Sequence, residues 1–224
     1  MRRDRTRQPP ADAPGVVLLH GLGSNSRWLR RLERALQEAG FASLNLNYPS
    51  RRQPLDRLAE HIHPAVAAFA ERQAGPIHFV GHSMGGLLAR VYVEKHRPAR
   101  LGRVVMLGTP NGGSEIADLL KGLALYRLLF GPAGQQLTTD PDGLPKSLPA
   151  VDYAVGVVAG TRSIRPISSA FILPRPNDGT VSVESCKLDG MTDHVTVKAF
   201  HAGLPHHRAA VSQTVRFLQE GRFR

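Results

Sequence analysis

The feature that most constrains this chain is a repeated alternation of short apolar runs with segments of helical periodicity. "GVVLLHG" (15–21), "FASLNLNY" (41–48), "IHFVGH" (77–82), "RVVMLGT" (103–109), "YAVGVVAGT" (153–161) and "HVTVKAF" (194–200) read as strands. Between the first two, residues 26–39 put Trp28, Leu29, Leu32, Ala35, Leu36 and Ala39 on one helical face, which Gly40 closes. After Pro54 the same spacing recurs in Leu55, Leu58, Ile62, Val66 and Phe69, and two more helical patterns run over 84–95 and 207–219. Short Val/Leu-rich strands that alternate with helices must be buried on both sides. The expected class is therefore α/β, a compact and mainly parallel sheet of about six strands with helices on both faces. Ligands of such sheets sit beyond the carboxyl ends of the strands. Glycine-rich loops follow three of these strands, at 21–23, 81–86 and 108–113, and should meet at that edge.

The alternation lapses between Pro110 and Pro149. "LLKGLALYRLLFG" reads as a helix, and "PAGQQLTTDPDGLPKSLP" is turn chemistry. The expectation is one domain over 15–224, with 114–150 as a small cover and 1–14 as a flexible basic tail. A chain of 224 residues, 42% hydrophobic and 21% charged, suits a single globular domain. It has no run of eighteen apolar residues and no apolar stretch at its N-terminus ahead of "VVLLHG", so a cytoplasmic location is expected. Cys186 is the single cysteine, which excludes an intramolecular disulfide and a Cys-rich metal site; it reads as a small half-buried residue. The net charge of +11 comes from dispersed arginines, with clusters at 2–7, 27–31 and 51–52. Neither a helix-turn-helix pattern nor an aromatic RNA-binding strand accompanies them. No specific nucleic acid is expected as a partner, and weak attraction to anionic lipid surfaces is.

The chemistry centres on "GHSMG". Here Ser83 follows an apolar strand and opens a helical pattern, the context in which G-x-S-x-G bends a chain sharply enough to expose a nucleophile. Gly81 and Gly85 are the positions where a side chain would strike neighbouring backbone. A serine hydroxyl needs a base. Of ten histidines, His61 and His63 fall on a surface-like helix and His78 inside a strand, and His82 should point away from the corner. His201 directly follows the last strand, where the base of such a fold belongs; His206 and His207 remain alternatives that would start or cap the last helix. The carboxylate that orients the base should lie between serine and histidine in chain order. Asp178 in "PNDGTV" occupies a loop of that kind. Asp140 and Asp142 fall in the irregular insertion, and Asp189 and Asp193 should shape a hairpin before the last strand. Oxyanion donors are expected in the backbone N–H groups of Met84 and, from "HGLGS", of Leu22. That loop lacks the spacing of a phosphate cradle.

Together "HGLGSNSRWL", "GHSMGGLLAR", "NDGTV" and "HAGL" before "VSQTVRFLQEGRF" resemble the α/β-hydrolase superfamily, in particular its small lipases and esterases. The likeness is nearest to the compact bacterial lipases and the lipid-anchor deacylase-like hydrolases, and "GTPNGGSEIAD" resembles the latter. It runs from about Val16 to Phe223. It implies a catalytic triad of Ser83, Asp178 and His201, favours His201 over His206 and His207, and implies a cover over the site from 114–150. No metal or organic cofactor is required by such chemistry. The expected substrate is an ester, a small molecule or a lipid, with an apolar acyl chain. An entrance of Leu22, Trp28, Met84, Leu119, Leu120, Leu123 and Leu125 would admit it, with Trp28, Leu119 and Leu123 as contacts. A thioesterase or lipid-anchor deacylase would share the same triad, and a non-catalytic binding protein could share the fold.

Overall fold

The computed structural model describes residues 13–141, 143–163 and 172–224. Its strands are β1 (Gly15–Leu19), β2 (Ala42–Leu46), β3 (Ile77–His82), β4 (Leu101–Leu107), β5 (Val155–Gly160) and β6 (Asp193–Val197). They form a single sheet in the order β2-β1-β3-β4-β5-β6, with every neighbouring pair parallel. The long helices are α1 (Arg30–Glu38), α2 (Leu55–Glu71), α3 (Met84–His96), α4 (Glu115–Leu120), α5 (Ala124–Gln135) and α6 (Arg208–Glu220). A 3₁₀ turn, Ser26–Leu29, leads into α1, and another, His201–His206, precedes α6.

Strand periodicity divides the core into two. Val17, Leu19, Phe79, Val104, Met106, Val155 and Val157 face α2 and α3. Their neighbours Val16, Leu18, Val80, Val105, Leu107 and Val158 face α1 and α6. β1, β3 and β5 are buried along their whole length, whereas the edge strands β2 (ASLNL) and β6 (DHVTV) are mostly half-buried and carry polar residues. The helical faces expected from sequence are the ones buried: Leu29, Leu32 and Leu36 on one side, and Leu55, Leu58, Ile62, Val66 and Phe69 on the other. Trp28 departs from this pattern. It sits in the 3₁₀ turn, not in α1, and is 42% exposed.

The strand order places the site. From β1 the chain crosses to β2 on one side and then returns to β3 on the other. The loops leaving β1 and β3 therefore part company, and a crevice opens between their strand ends.

Several expectations change. The helix read over 119–131 is broken: α4 stops at Leu120 and α5 starts at Ala124, with a kink inside α5 at Gly131 (φ 61°). No hairpin precedes β6, because β5 and β6 pair in parallel; Asp193 instead accepts the Phe223 N–H at 2.6 Å. Cys186 is fully buried rather than half-buried. Most of the expected tail, including its four arginines, lies outside the described residues. Ala13 is buried, and Pro14 O accepts the Ala42 N–H at 3.0 Å. Arg90 ties the far end of the 114–150 segment to α3. Its buried guanidinium donates to the carbonyls of Pro145, Leu148 and Pro149 and to Asn111 Oδ1. Outside the crevice, a groove of about 620 Å³ runs between α1 and α6, lined by Arg31, Arg34, Arg208 and Arg216.

Candidate active site

Ser83 stands at the junction of β3 and α3 with φ 55° and ψ −128°, the one non-glycine residue with positive φ among the described residues. Such a conformation costs a β-carbon-bearing residue roughly 1–3 kcal/mol and persists only where the surroundings enforce it. They do so here. Ser83 N–H donates to Leu107 O at 2.8 Å, and Ser83 O accepts from Gly86 N at 3.0 Å and from Thr109 Oγ1 at 2.9 Å. The flanking glycines are needed for close approach. A β-carbon on Gly81 would lie 2.3 Å from Gly86 N, and one on Gly85 would lie 2.2 Å from Leu19 O. The tight turn and the packing of α3 onto the end of β1 are thus one requirement.

His201 opens the 3₁₀ turn after β6, and its Nε2 lies 2.9 Å from Ser83 Oγ. Its Nδ1 lies 2.7 Å from Oδ2 of Asp178, which is 1% exposed. Asp178 Oδ1 accepts the N–H groups of Thr180 and Val181 at 2.9 and 2.8 Å. A carboxylate only accepts, so Nδ1 carries the imidazole proton. Nε2 then offers its lone pair to the serine hydroxyl. Main-chain bonds reinforce the pairing, since His201 N–H donates to Asp178 O at 3.0 Å.

The other candidates are engaged elsewhere. His206 meets the Trp28 ring edge-on at 5.1 Å, and His207 is the N-cap of α6. Asp140 pairs with Lys121, Asp118 with Thr139, and Asp152 with Arg97. Asp142 lies outside the described residues.

The loop after β1 comes against the serine: a β-carbon on Gly21 would be 3.1 Å from Ser83 Cβ. In that loop Gly23 N–H donates to Ser50 Oγ and Ser24 N–H to Gly21 O. Leu22 N–H has no acceptor among the described residues. Met84 is the first residue of α3, so its N–H belongs to the set that a helix cannot satisfy internally. His20 stacks on Tyr48 at 4.1 Å and bonds Gly21 O through Nδ1, and the Tyr48 hydroxyl donates to His20 O. Burial holds the His20 imidazole below its ordinary pKa and raises the Tyr48 phenol, so both stay neutral while they shape this loop.

Sequence reasoning missed one neighbour. His82 does not point away from the corner; its Nε2 lies 3.1 Å from His201 O. Burial pushes its pKa down to about 3, with the His201 ring nearby adding to the shift. The only signal in the sequence was its place beside Ser83.

Of the expected substrate contacts, Trp28 borders the site, since its Nε1–H donates to Ala202 O at 3.1 Å. Leu119 and Leu123 are exposed on the 114–150 segment. The side chain of Leu125 lies outside the description. From the same segment α5 reaches the loops after β1 and β2. Arg51 Nη1 donates to Leu129 O, and a β-carbon on Gly134 would touch Leu22 Cδ2 at 3.4 Å. Among the described residues no three His, Cys, Asp or Glu side chains gather as metal ligands would, and no helix is long and apolar enough to cross a membrane.

Residues 14–130 match the family model described as alpha/beta hydrolase fold. A triacylglycerol lipase of Pseudarthrobacter phenanthrenivorans is 28% identical over 142 residues, 59% of this chain and 40% of that protein. The chain therefore spans well under half the length of the curated relatives it matches. Among solved structures, the mature form of Bacillus licheniformis lipase BlEst2 superposes with a TM-score of 0.71 at 19% identity, covering 97% of this chain and 96% of that one. Phospholipase PlaB from Legionella pneumophila gives 0.72 at 16% identity, over 94% of this chain and 60% of that one.

Proposed function

Because the chain belongs to the alpha/beta hydrolase fold family, we propose that it is a serine carboxylic-ester hydrolase of the lipase or esterase type, working through Ser83, His201 and Asp178. The observation that carries this is the continuous hydrogen-bonded line from Ser83 Oγ through the His201 ring to Asp178 Oδ2, at 2.9 and 2.7 Å. The names of the lipase relatives support an ester substrate.

The reaction runs in two halves. As Ser83 Oγ attacks the ester carbonyl, its proton passes to His201 Nε2, and Asp178 stabilises the imidazolium that forms. The carbonyl oxygen takes up negative charge, and the N–H groups of Leu22 and Met84 receive it. His201 then returns the proton to the departing alkoxide. An acyl ester remains on Ser83. Water, deprotonated by the same Nε2, attacks that ester; collapse frees the acid and restores the serine hydroxyl.

The acyl side is apolar and takes a lipid-like chain. Leu119, Leu123, Leu128, Leu129 and Phe130 stand exposed on the 114–150 segment. Arg51 and Lys121, both exposed, stand beside them, Arg51 through its bond to Leu129 O in α5 and Lys121 by its place in the chain. Apolar side chains bordered by cations fit an anionic lipid interface, where the cover meets the substrate. Residues 114–150 act as that cover within the domain 15–224, and Trp28, Leu119 and Leu123 are its acyl contacts.

The test is hydrolysis of p-nitrophenyl esters from acetate to palmitate by wild type and Ser83→Ala. Wild-type turnover should rise beyond acetate, and the variant should lose more than about a hundredfold in kcat. Retention of activity within that margin overturns the assignment of Ser83. Co-sedimentation with phosphatidylglycerol vesicles at low and high salt checks the interface: binding that ignores salt removes the cations from it.

A further inference from the structure

His82 is the least explained group near the site. It is 5% exposed, and its Nδ1 is buried with no hydrogen-bond partner. Among the described residues its one hydrogen bond runs from Nε2 to the backbone oxygen of His201, at 3.1 Å across 119 positions of sequence. A carbonyl oxygen only accepts, so the single proton of this neutral imidazole must sit on Nε2. The bare Nδ1 lies close to Gly21, on which a β-carbon would come within 3.4 Å of it. An imidazole is a costly way to fill this space, since Nδ1 is desolvated without compensation. The bond at Nε2 is what it provides.

That bond acts on the short segment between β6 and the 3₁₀ turn, which Arg162 N–H also holds through Ala199 O at 3.1 Å. The chain leaves β6 at Val197 and enters the 3₁₀ turn at His201. His201 N–H is tied to Asp178 O at 3.0 Å, and the next carbonyl, that of Ala202, accepts only from the exposed Trp28 indole among the described contacts. With its N–H held by Asp178 and its C=O held by His82, the backbone of His201 is fixed from both sides. The His201 backbone cannot shift from Ser83 without breaking one of the two, while rotation of the ring on that fixed backbone is opposed by the bond from Nδ1 to Asp178 Oδ2 at 2.7 Å.

We propose that His82, fixed as its Nε2–H tautomer, is a positioning residue that pins the His201 backbone and thereby holds the His201 ring at attack distance from Ser83. The proposal rests on the reading of Ser83 as nucleophile. His82 touches neither substrate nor the reacting atoms. It is the last residue of β3, the strand that leads into Ser83, so the residue before Ser83 and the loop bearing its base are locked in one frame.

The experiment compares wild type, His82→Phe and His82→Gln. Phenylalanine fills the same space without a donor. Glutamine places its amide Nε2 three bonds from Cβ, as the imidazole does, and restores the donor. In p-nitrophenyl butyrate hydrolysis, His82→Phe should lose about tenfold or more in kcat with KM within about twofold, and fluorophosphonate labelling of Ser83 should slow in parallel. His82→Gln should recover most of both. Equal impairment of the two variants, or full activity of His82→Phe, overturns the proposal. A measurement on the wild-type protein avoids any failure to fold: long-range ¹H–¹⁵N correlation should find His82 protonated at Nε2, and protonation at Nδ1 overturns the proposal. Wild type that neither turns over esters nor labels at Ser83 brings down the nucleophile reading itself. Normal labelling with an unpinned His201 brings down only the role of His82.

Discussion

Replacing Gly85 by alanine probes the joint between the Ser83 turn and the loop after β1. The new methyl would sit 2.2 Å from Leu19 O and 2.7 Å from His20 O, both backbone atoms, whereas real β-carbons essentially never come within 3.0 Å. Neither neighbour can rotate away, so α3 and the end of β1 must separate by roughly 0.8 Å or more, the shortfall between those two distances. Overpacking of this kind costs about 1–3 kcal/mol. For a chain of this length that is a fall in Tm of roughly 3–9 °C, at about 3 °C per kcal/mol. The effect on rate should be larger than the effect on stability. Met84 N–H rides on α3 and Leu22 N–H on the loop leaving β1, so the same movement opens the distance between the two proposed oxyanion donors. A misplacement approaching 1 Å can cost about a hundredfold in kcat. Thermal melts followed by circular dichroism, beside steady-state hydrolysis of p-nitrophenyl butyrate, separate the two effects. A Gly85→Ala protein that melts within 1 °C of wild type, or that keeps kcat within about threefold, refutes the reasoning.

Asp178→Asn would keep an oxygen for Thr180 and Val181 but turn an amide toward His201 Nδ1, forcing the tautomer that presents a proton to Ser83; kcat should fall about 10⁴-fold, and a loss under tenfold would show that Asp178 does not orient the base. Burial holds His78 down to about 4 and His82 down to about 3. Below pH 6.5 the unfolded chain protonates both while the folded chain does not, so stability drops as pH falls, by about 2.7 kcal/mol per unit near pH 5, until the folded-state values are reached. Chemical denaturation at pH 7.5, 6 and 5 would expose a flat profile if these imidazoles were not buried neutral. Arg90→Met removes the donor to Pro145, Leu148 and Pro149 and should cost about 2–3 kcal/mol while speeding proteolysis within 145–149; an unchanged cleavage rate would mean that the guanidinium does not hold this segment.

The sequence by itself determined whatever depends on neighbours along the chain. Short continuous apolar runs and helical faces of period 3.6 announced a two-faced parallel sheet, and each buried face expected in α1 and α2 is the one buried. "GHSMG" announced a strained corner, because only closely apposed backbone requires glycine at both Gly81 and Gly85. The chain order of Asp178 and His201 narrowed the partners, but spacing could not measure their distance from Ser83. Contacts across long separations were decided by tertiary structure alone. His82 reads as an ordinary strand-end residue until β6 delivers His201 O within 3.1 Å of it. Trp28 reads as a helix-face residue until the 3₁₀ turn swings its indole onto Ala202. Arg90 lies in an apolar helix, and nothing nearby in sequence reveals that its charge is taken up by carbonyls 55 to 59 residues away. Local periodicity is set by backbone geometry and can be read from one segment; hydrogen bonds between distant loops exist only once the sheet order has brought their ends together.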